Sequence, residues 1–471
     1  MLSVNELNYK YDNNREYTLK SVCFDVYPGN VLLVTGLSGC GKSTLVNCLN
    51  GLNPKHYGGK IRGSIRLDGE ELINKEIWQF SQNVGTVFQN PASQFFYIKI
   101  LHELAFGLEY QMIETEDIKK SISNISKKMN IISLLEKNIF SLSSGEKQRV
   151  AISSVMLTDQ KLLIFDEPTA NLDLEGIKEF RKIIKKLKGD GKIIIIVEHR
   201  ISYLKDIADE VMIMNEGKVL DILSKLEFNR LSEYEELRRN EYINENLKSI
   251  SSRSRVLYHV ENLSYRFKDK IILDKINYDF RRGVISALTG KNGAGKTTFA
   301  RVLCGLLKRK EGKIKDLEND KYLNSSDQVF GYVSQFADQQ LFTDSVYDEI
   351  YIGCKLPKHT EEILKEFDLL EKKNMHPHSL SGGEKQRTAI AAMIAVDYNV
   401  LILDEPTSGM DGRRLNILTD KLLRLSNLGY SILIITHDPE LIQKCCNEIL
   451  WLEDGKLEEI SYTKFYKELE I

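Results

Sequence analysis

One short loop occurs twice in this chain, and that repetition limits the possible folds more than any other feature. Gly36-Leu37-Ser38-Gly39-Cys40-Gly41-Lys42-Ser43-Thr44 returns as Gly290-Lys291-Asn292-Gly293-Ala294-Gly295-Lys296-Thr297-Thr298. Each copy follows an apolar, strand-like run (Val31 to Thr35; Val284 to Thr289) and opens a helical pattern. That is the setting in which a glycine-rich turn cradles phosphate. The glycines let backbone N–H groups converge on one anion, the helix start adds a favourable dipole, and the lysine reaches the outer phosphates. Gly36, Ser38, Gly39, Gly41, Lys42, Ser43 and Thr44 are therefore candidate phosphate-contacting residues, with Gly290, Asn292, Gly293, Gly295, Lys296, Thr297 and Thr298 as their twins. Ser43 and Thr297 are candidate Mg²⁺ ligands.

Further motifs follow each loop in the same order. Leu142-Ser143-Ser144-Gly145-Glu146-Lys147-Gln148-Arg149 is matched by Leu380-Ser381-Gly382-Gly383-Glu384-Lys385-Gln386-Arg387. Ser143 with Glu146 reads locally as a capping box. The glycines exceed what a cap requires and suit a helix start aimed at an anion. Next, Leu162 to Phe165 reads as a buried strand ending in Asp166-Glu167, and Asp404-Glu405 occupies the same place in the second half. Adjacent carboxylates at the end of an apolar strand are costly without a cation or a proton. Asp166 and Asp404 suit Mg²⁺, and Glu167 and Glu405 suit a general base for water. A further buried strand, Ile193 to Val197, ends in Glu198-His199, with a counterpart ending at His437. A single histidine there reads as core, but its twin argues for function. Ser143 stands 23 residues before Asp166, and Ser381 23 before Asp404; Asp166 and Asp404 each precede their histidine by 33. The chain is a tandem duplication.

Composition narrows the function classes. A net charge of −2 with 28% charged residues gives no global basic field for nucleic acid or anionic lipid. Seven cysteines without a C-x-x-C pair read as reduced thiols in a cytosolic compartment. No basic, apolar leader opens the sequence, and its apolar runs are too short to span a bilayer, so any membrane role is expected through a partner. Strands are expected at Val4 to Tyr11, Leu19 to Val26 and Ile61 to Leu67, a helix at Ser43 to Leu52 and a loop at Asn53 to Gly59. The stretch from Ser93 to Leu142 reads as mostly helical, with Ile118, Ile122, Ile125 and Met129 as core. Residues 226–255, including Ser249 to Ser254, read as a helix plus flexible linker.

Six motifs in order, twice, resemble ABC-type ATPase domains. The resemblance implies an α/β chain of two tandem P-loop NTPase (RecA-like) domains, at 1–225 and 256–471, each with an antiparallel β subdomain and a helical subdomain. It implies ATP and Mg²⁺ as cofactors, and Gln89 and Gln335 as further metal-facing residues. It also implies an aromatic stacking on adenine, by position Tyr11 and Phe267, with Tyr9 and Tyr265 as competitors. In the family the two halves close head to tail. Ser381 and Gly383 would then complete the site of Lys42, Gln89, Asp166, Glu167 and His199, and Ser143 and Gly145 that of Lys296, Gln335, Asp404, Glu405 and His437. Asp173 and Asp411 match the loop that couples the sites. Ser144 departs from the family's usual glycine and is expected to weaken the geometry of the second site at most.

Gln89-Asn90-Pro91-Ala92-Ser93-Gln94-Phe95-Phe96, then His102-Glu103-Leu104-Ala105-Phe106-Gly107, resembles the ATPase subunits of energy-coupling factor importers for vitamins and metal ions. Asn53-Pro54-Lys55-His56-Tyr57-Gly58-Gly59 resembles the subset with both ATPases fused. That implies a peripheral protein on the cytoplasmic face of the cell membrane. Its partners would be a transmembrane scaffold and a substrate-binding membrane subunit, with no nucleic acid. The alternative is a soluble tandem ABC protein acting on the ribosome or DNA. Such proteins carry a longer charged linker or cysteine-rich zinc inserts, and neither is evident here.

Overall fold

The computed structural model describes residues 1–89, 91–170, 172–238, 254–268, 270–324, 327–335, 337–354 and 356–469. Asn90 and residues 239–253 of the expected linker lie outside the described residues. The chain forms two compact units, the first centred on Met1–Glu241 and the second on Tyr242–Met410 and Arg414–Glu470.

The first unit contains β1 (Leu2–Lys10), β2 (Leu19–Val26), β3 (Val31–Gly36), β4 (Lys60–Leu67), β5 (Glu70–Glu71), β6 (Val84–Val87), β7 (Leu162–Asp166), β8 (Ile193–Val197), β9 (Glu210–Asn215) and β10 (Lys218–Ser224). They form two sheets. The antiparallel one runs β2-β1-β4-β5, and the other runs β10-β9-β3-β8-β7-β6, parallel except at β10. Every residue of β3 and β8 is buried, as expected of parallel strands covered on both faces. This places the glycine-rich loop, Asp166-Glu167 and Glu198-His199 at the carboxyl ends of neighbouring strands, where open α/β sheets bind ligands. One apolar core joins the two sheets, with Leu2, Val4 and Leu7 of β1 packing with Ile164 and Ile195.

The second unit repeats the plan with β11 (Val256–Phe267), β12 (Lys270–Arg281), β13 (Ile285–Thr289), β14 (Glu311–Asp316), β15 (Lys321–Tyr322), β16 (Phe330–Val333), β17 (Val400–Asp404), β18 (Ser431–Ile435), β19 (Glu448–Glu453) and β20 (Lys456–Ile460). Its sheets run β12-β11-β14-β15 and β16-β17-β18-β13-β19-β20.

The helix after the first loop spans Lys42–Leu49, and a one-turn helix, Leu52–Lys55, begins the segment expected to be loop. The expected helical stretch comprises helices Ile100–Tyr110 and Thr115–Lys128, with 3-10 turns between them and the helix Ser144–Leu157. Ile118, Ile122, Ile125 and Met129 are buried. The described start of the expected linker is a 3-10 run, Lys225–Glu233. No helix among the described residues is long and apolar enough to cross a membrane.

Candidate functional site

Backbone geometry dictates the loop glycines. Gly36 has φ 146° and Gly290 φ 137°, and a Cβ at either would lie 2.2 Å from a carbonyl oxygen, that of Met214 or Leu452. Gly41 and Gly295 take left-handed backbone at the helix N-caps, where other residues are strained. Ser43 is exposed, Ser38 and Gly39 lie at the loop rim, and Thr44 is buried; Thr298 is partly buried, and Asn292 and Gly293 are exposed. Lys42 Nζ donates to the carbonyls of Gly36 and Leu37, both at 2.9 Å, and Lys296 Nζ to those of Gly290 (2.6 Å) and Lys291 (3.0 Å). Each ammonium is thus held over its own loop.

At the strand ends of the first unit, Gln89 Nε2 donates to Glu167 Oε2 at 2.7 Å, and His199 Nε2 stands 3.6 Å from Glu167 Oε1. Glu167 adopts φ 46° with its N–H bonded to the Val197 carbonyl at 2.8 Å, which turns its side chain away from the strand direction. Burial pushes the Glu167 carboxyl up to about 7, with Glu198 and Asp166 adding repulsion against Lys42 and Arg200. Burial likewise raises Asp166 to about 6, with Lys42 opposing and Glu198 reinforcing. Two carboxylates in this state gain from a cation.

The second unit differs in detail. Thr297 Oγ1 donates to Asp404 Oδ2 at 2.9 Å, which joins the hydroxyl and carboxylate expected to share a metal. Burial raises Asp404, against hydrogen bonds from Tyr332 and Thr297. Glu405 repeats φ 46° and the backbone bond, here to Ile435 at 2.8 Å, and His437 Nε2 lies 3.8 Å from Glu405 Oε1. The buried Thr289 hydroxyl lies 3.4 Å from His437 Nδ1. A cleft of about 160 Å³ places Gln335 and Glu405 beside Gly382 and Gly383. Among the described residues no group of three or more His, Cys, Asp and Glu forms a metal site. A donor set of one carboxylate and one hydroxyl suits Mg²⁺, which keeps phosphate oxygens and waters for the rest.

Tyr9 is fully buried with its hydroxyl on the Gly58 carbonyl at 2.6 Å, so it is a core residue and cannot stack on a base. Tyr11 is partly exposed, edge-on to Tyr9 at 4.8 Å, with its hydroxyl 3.4 Å from Thr44 Oγ1. Phe267 is 61% exposed, whereas Tyr265 packs against the core. Ser143 and Ser381 begin helices with complete capping boxes. A Cβ at Gly145 would meet Leu172 at an ordinary 3.8 Å, and one at Gly383 would meet Arg414 at 3.5 Å. Packing inside each unit therefore does not require those glycines.

Sequence reasoning missed Glu198 as an organiser. It is 2% exposed, and its carboxylate accepts from the Thr169 hydroxyl (2.5 Å) and the N–H groups of His199 (2.8 Å) and Arg200 (3.2 Å). The signal was present, since Glu198 also ends an apolar strand. Tyr332 was missed as well, because nothing in a strand of Phe-Gly-Tyr-Val marks its hydroxyl as polar in use.

The profile of the ABC transporter family matches residues 19–170 and 273–408. A Treponema denticola protein, "Putative ABC transporter ATP-binding protein", is 36% identical over 97% of this chain and 96% of its own length. "Putative HMP/thiamine import ATP-binding protein YkoD" of Bacillus subtilis is 32% identical over 97% of this chain and 90% of its own. Among solved structures, "Model of ribosome-bound archaeal Pelota and ABCE1" matches with TM-score 0.73 at 20% identity, over 98% of this chain and 80% of that one. "RNase-L Inhibitor" matches with TM-score 0.69 at 21% identity, over 98% and 92%. At such identity these two likenesses concern the fold alone. The chain belongs to the ABC transporter family, as a tandem ABC ATPase.

Proposed function

We propose that this ATPase drives import through membrane partners, as the fused ATPase subunit of an energy-coupling factor type transporter for a vitamin or metal ion. Its residues divide the work as follows. Lys42 and Lys296, with the loop N–H groups, bind and orient the phosphates of ATP. Ser43 with Asp166 and Thr297 with Asp404 would hold Mg²⁺, which supplies charge neutralisation at the outer phosphates, with Gln89 and Gln335 as the further metal-facing residues that family resemblance implies. Glu167 and Glu405 take the proton of the attacking water, with His199 and His437 beside them. Tyr11 and Phe267 stack on adenine. Head-to-tail pairing of the halves, implied by family resemblance, would bring Ser381 and Gly383 to the first site, and Ser143 and Gly145 to the second. A glycine in a helix costs about 1 kcal/mol against alanine, and close approach of a nucleotide accounts for accepting that cost.

The observation that carries the partner is an exposed aromatic platform built the same way in both units. Gln94 Oε1 accepts from the Phe88 N–H (3.1 Å), and Gln340 Oε1 from the Ser334 N–H (2.8 Å). Buried Glu103 accepts from the N–H groups of Phe96 and Tyr97 (2.9 and 2.8 Å), and buried Glu349 from those of Phe342 and Thr343 (3.1 and 3.0 Å). Each glutamate fixes a turn that leaves a phenylalanine in water, Phe96 at 78% exposure and Phe342 at 77%. Tyr97 and Ile98 are exposed directly after Phe96, and contiguous exposed apolar surface marks partner sites. The import direction draws on the name of the Bacillus subtilis relative.

The test is to purify the tagged native chain from membranes and to measure uptake in a deletion strain. Co-purifying membrane subunits and lost uptake support the reading. A chain found wholly on ribosomes, with uptake intact, replaces it by the ribosome alternative.

A further inference from the structure

The two units differ at one buried position beside the cation-facing carboxylate. Tyr332 Oη donates to Asp404 Oδ2 at 2.9 Å, the same oxygen that accepts from Thr297. Tyr332 is 9% exposed and Asp404 6%, so the bond is made away from bulk water. Arg301, one turn along the helix from Thr297, adds a positive charge near both groups.

Strand register identifies the equivalents in the first unit. Tyr332 pairs with Ile402, two residues before Asp404, and Thr86 pairs with Ile164, two residues before Asp166. Thr86 is therefore the counterpart of Tyr332, and Asn47 stands where the second unit has Arg301. The Thr86 hydroxyl is buried with no hydrogen-bond partner. Among the described residues, no hydrogen bond reaches the Asp166 carboxylate. Threonine is too short to do from that strand what tyrosine does.

We propose that Tyr332 is a positioning residue that holds Asp404 for a divalent cation, so that the second unit binds metal–nucleotide more tightly than the first. The proposal rests on reading both loops as Mg·ATP sites. A ligating carboxylate whose orientation is fixed by an outer hydrogen bond loses less freedom on binding, and such partners are worth roughly ten- to a hundredfold in metal affinity. The Tyr332 donor remains available to the carboxylate when the Thr297 hydroxyl turns to a metal.

The test uses the full chain carrying Glu167→Gln and Glu405→Gln, saturated with ATP and titrated with Mn²⁺, whose binding is followed by electron paramagnetic resonance. Two Mn²⁺ populations are expected, differing in affinity by about ten- to a hundredfold. Adding Lys296→Ala removes the tight one, and adding Lys42→Ala removes the weak one. Tyr332→Phe brings the two affinities together, while Thr86→Val alters neither. Equal affinities in the parent chain overturn the proposal, as does loss of the tight population on Lys42→Ala. A Tyr332→Phe chain that is less heat-stable but keeps its tight Mn²⁺ also overturns it, because the tyrosine is then merely structural. No ATP-dependent Mn²⁺ binding at all would sink the reading of the loops as metal–nucleotide sites, and the proposal with it.

Discussion

The side-chain amide of Gln89 donates a 2.7 Å hydrogen bond to a carboxylate oxygen of Glu167. Gln89 follows the short strand β6, and Glu167 follows β7 in left-handed backbone, so the bond ties a surface loop to the carboxylate proposed to accept the water's proton. A base held this way is already aimed before substrate arrives.

If Glu167 and Glu405 are the bases, Glu167→Gln and Glu405→Gln each keep the shape of the site and remove the proton acceptor. Steady-state hydrolysis is expected to fall by about 10²–10⁴-fold at the altered site, with ATP affinity changed only severalfold. A variant that hydrolyses at the parent rate, measured by phosphate release in the background of the other glutamine, assigns the proton elsewhere.

The pH profile follows from the direction of the Glu167 shift. Its carboxyl is pushed up to about 7, mainly by burial and next by the Glu198 charge. It must be ionised to act as a base, so hydrolysis at the first site is expected to rise with pH and level off above about 7. Glu198→Gln removes part of the repulsion, and the acidic limb should move to lower pH. Stability runs the other way. The raised folded-state values of Asp166 (about 6) and Glu167 mean the folded chain binds protons more tightly than the unfolded one. Their contribution is fully present below the unfolded values near 4 and is lost as pH rises through about 6 to 7. Melting of the ligand-free chain across pH 4 to 8 checks this, and Glu167→Gln should flatten the decline.

Gly36→Ala and Gly290→Ala test the loop backbone. The added Cβ would lie 2.2 Å from a main-chain carbonyl on the adjacent strand, an approach that only backbone movement relieves, in a conformation side chains avoid. A loss of about 2–4 kcal/mol is expected for each, read as a lower denaturant midpoint and as lost ATP binding. Gly39→Ala, where no atom lies within 4 Å of the new carbon but φ is 80°, should cost less.

Much of this was legible in the sequence because local chemistry made the demand. The glycine pattern before Lys42, the carboxylates ending an apolar strand and their identical spacing in both halves all stem from constraints within one element. The choice between Tyr9 and Tyr11 was not legible, since both lie on the same face of an alternating strand. It is decided from 49 residues away, where Gly58 receives the Tyr9 hydroxyl, and by Asp12, which accepts from the Gly59 N–H at 3.0 Å. The same limit hid Glu103 and Glu349. A glutamate in a helix reads as a solvated face until the fold shows that it caps a turn before its own helix. The aromatic left in water is Phe96, with Phe95 partly buried, and only the closure of that turn distinguishes them.

The platforms yield the prediction nearest to function. Phe96 and Phe342 stand in solvent on turns that Glu103 and Glu349 tie to their helices, and Gln94 and Gln340 tie the same turns to the strands leading to Gln89 and Gln335. A movement of those glutamines on binding ATP would be carried to the phenylalanines through fixed hydrogen bonds, so each platform can act as a lever on a docked partner. Phe96→Asp and Phe342→Asp are both on exposed side chains, and the fold should tolerate them within about 0.5 kcal/mol. Each is expected to release the chain from the proposed membrane subunits or to abolish uptake, while ATP hydrolysis by the free chain persists. Glu103→Ala should do the same by loosening the turn, with Phe96 unchanged in sequence. Membrane recovery, uptake and phosphate release measured on one set of strains separate the outcomes. Full uptake with Phe96→Asp and Phe342→Asp combined would mean that no partner docks on these platforms.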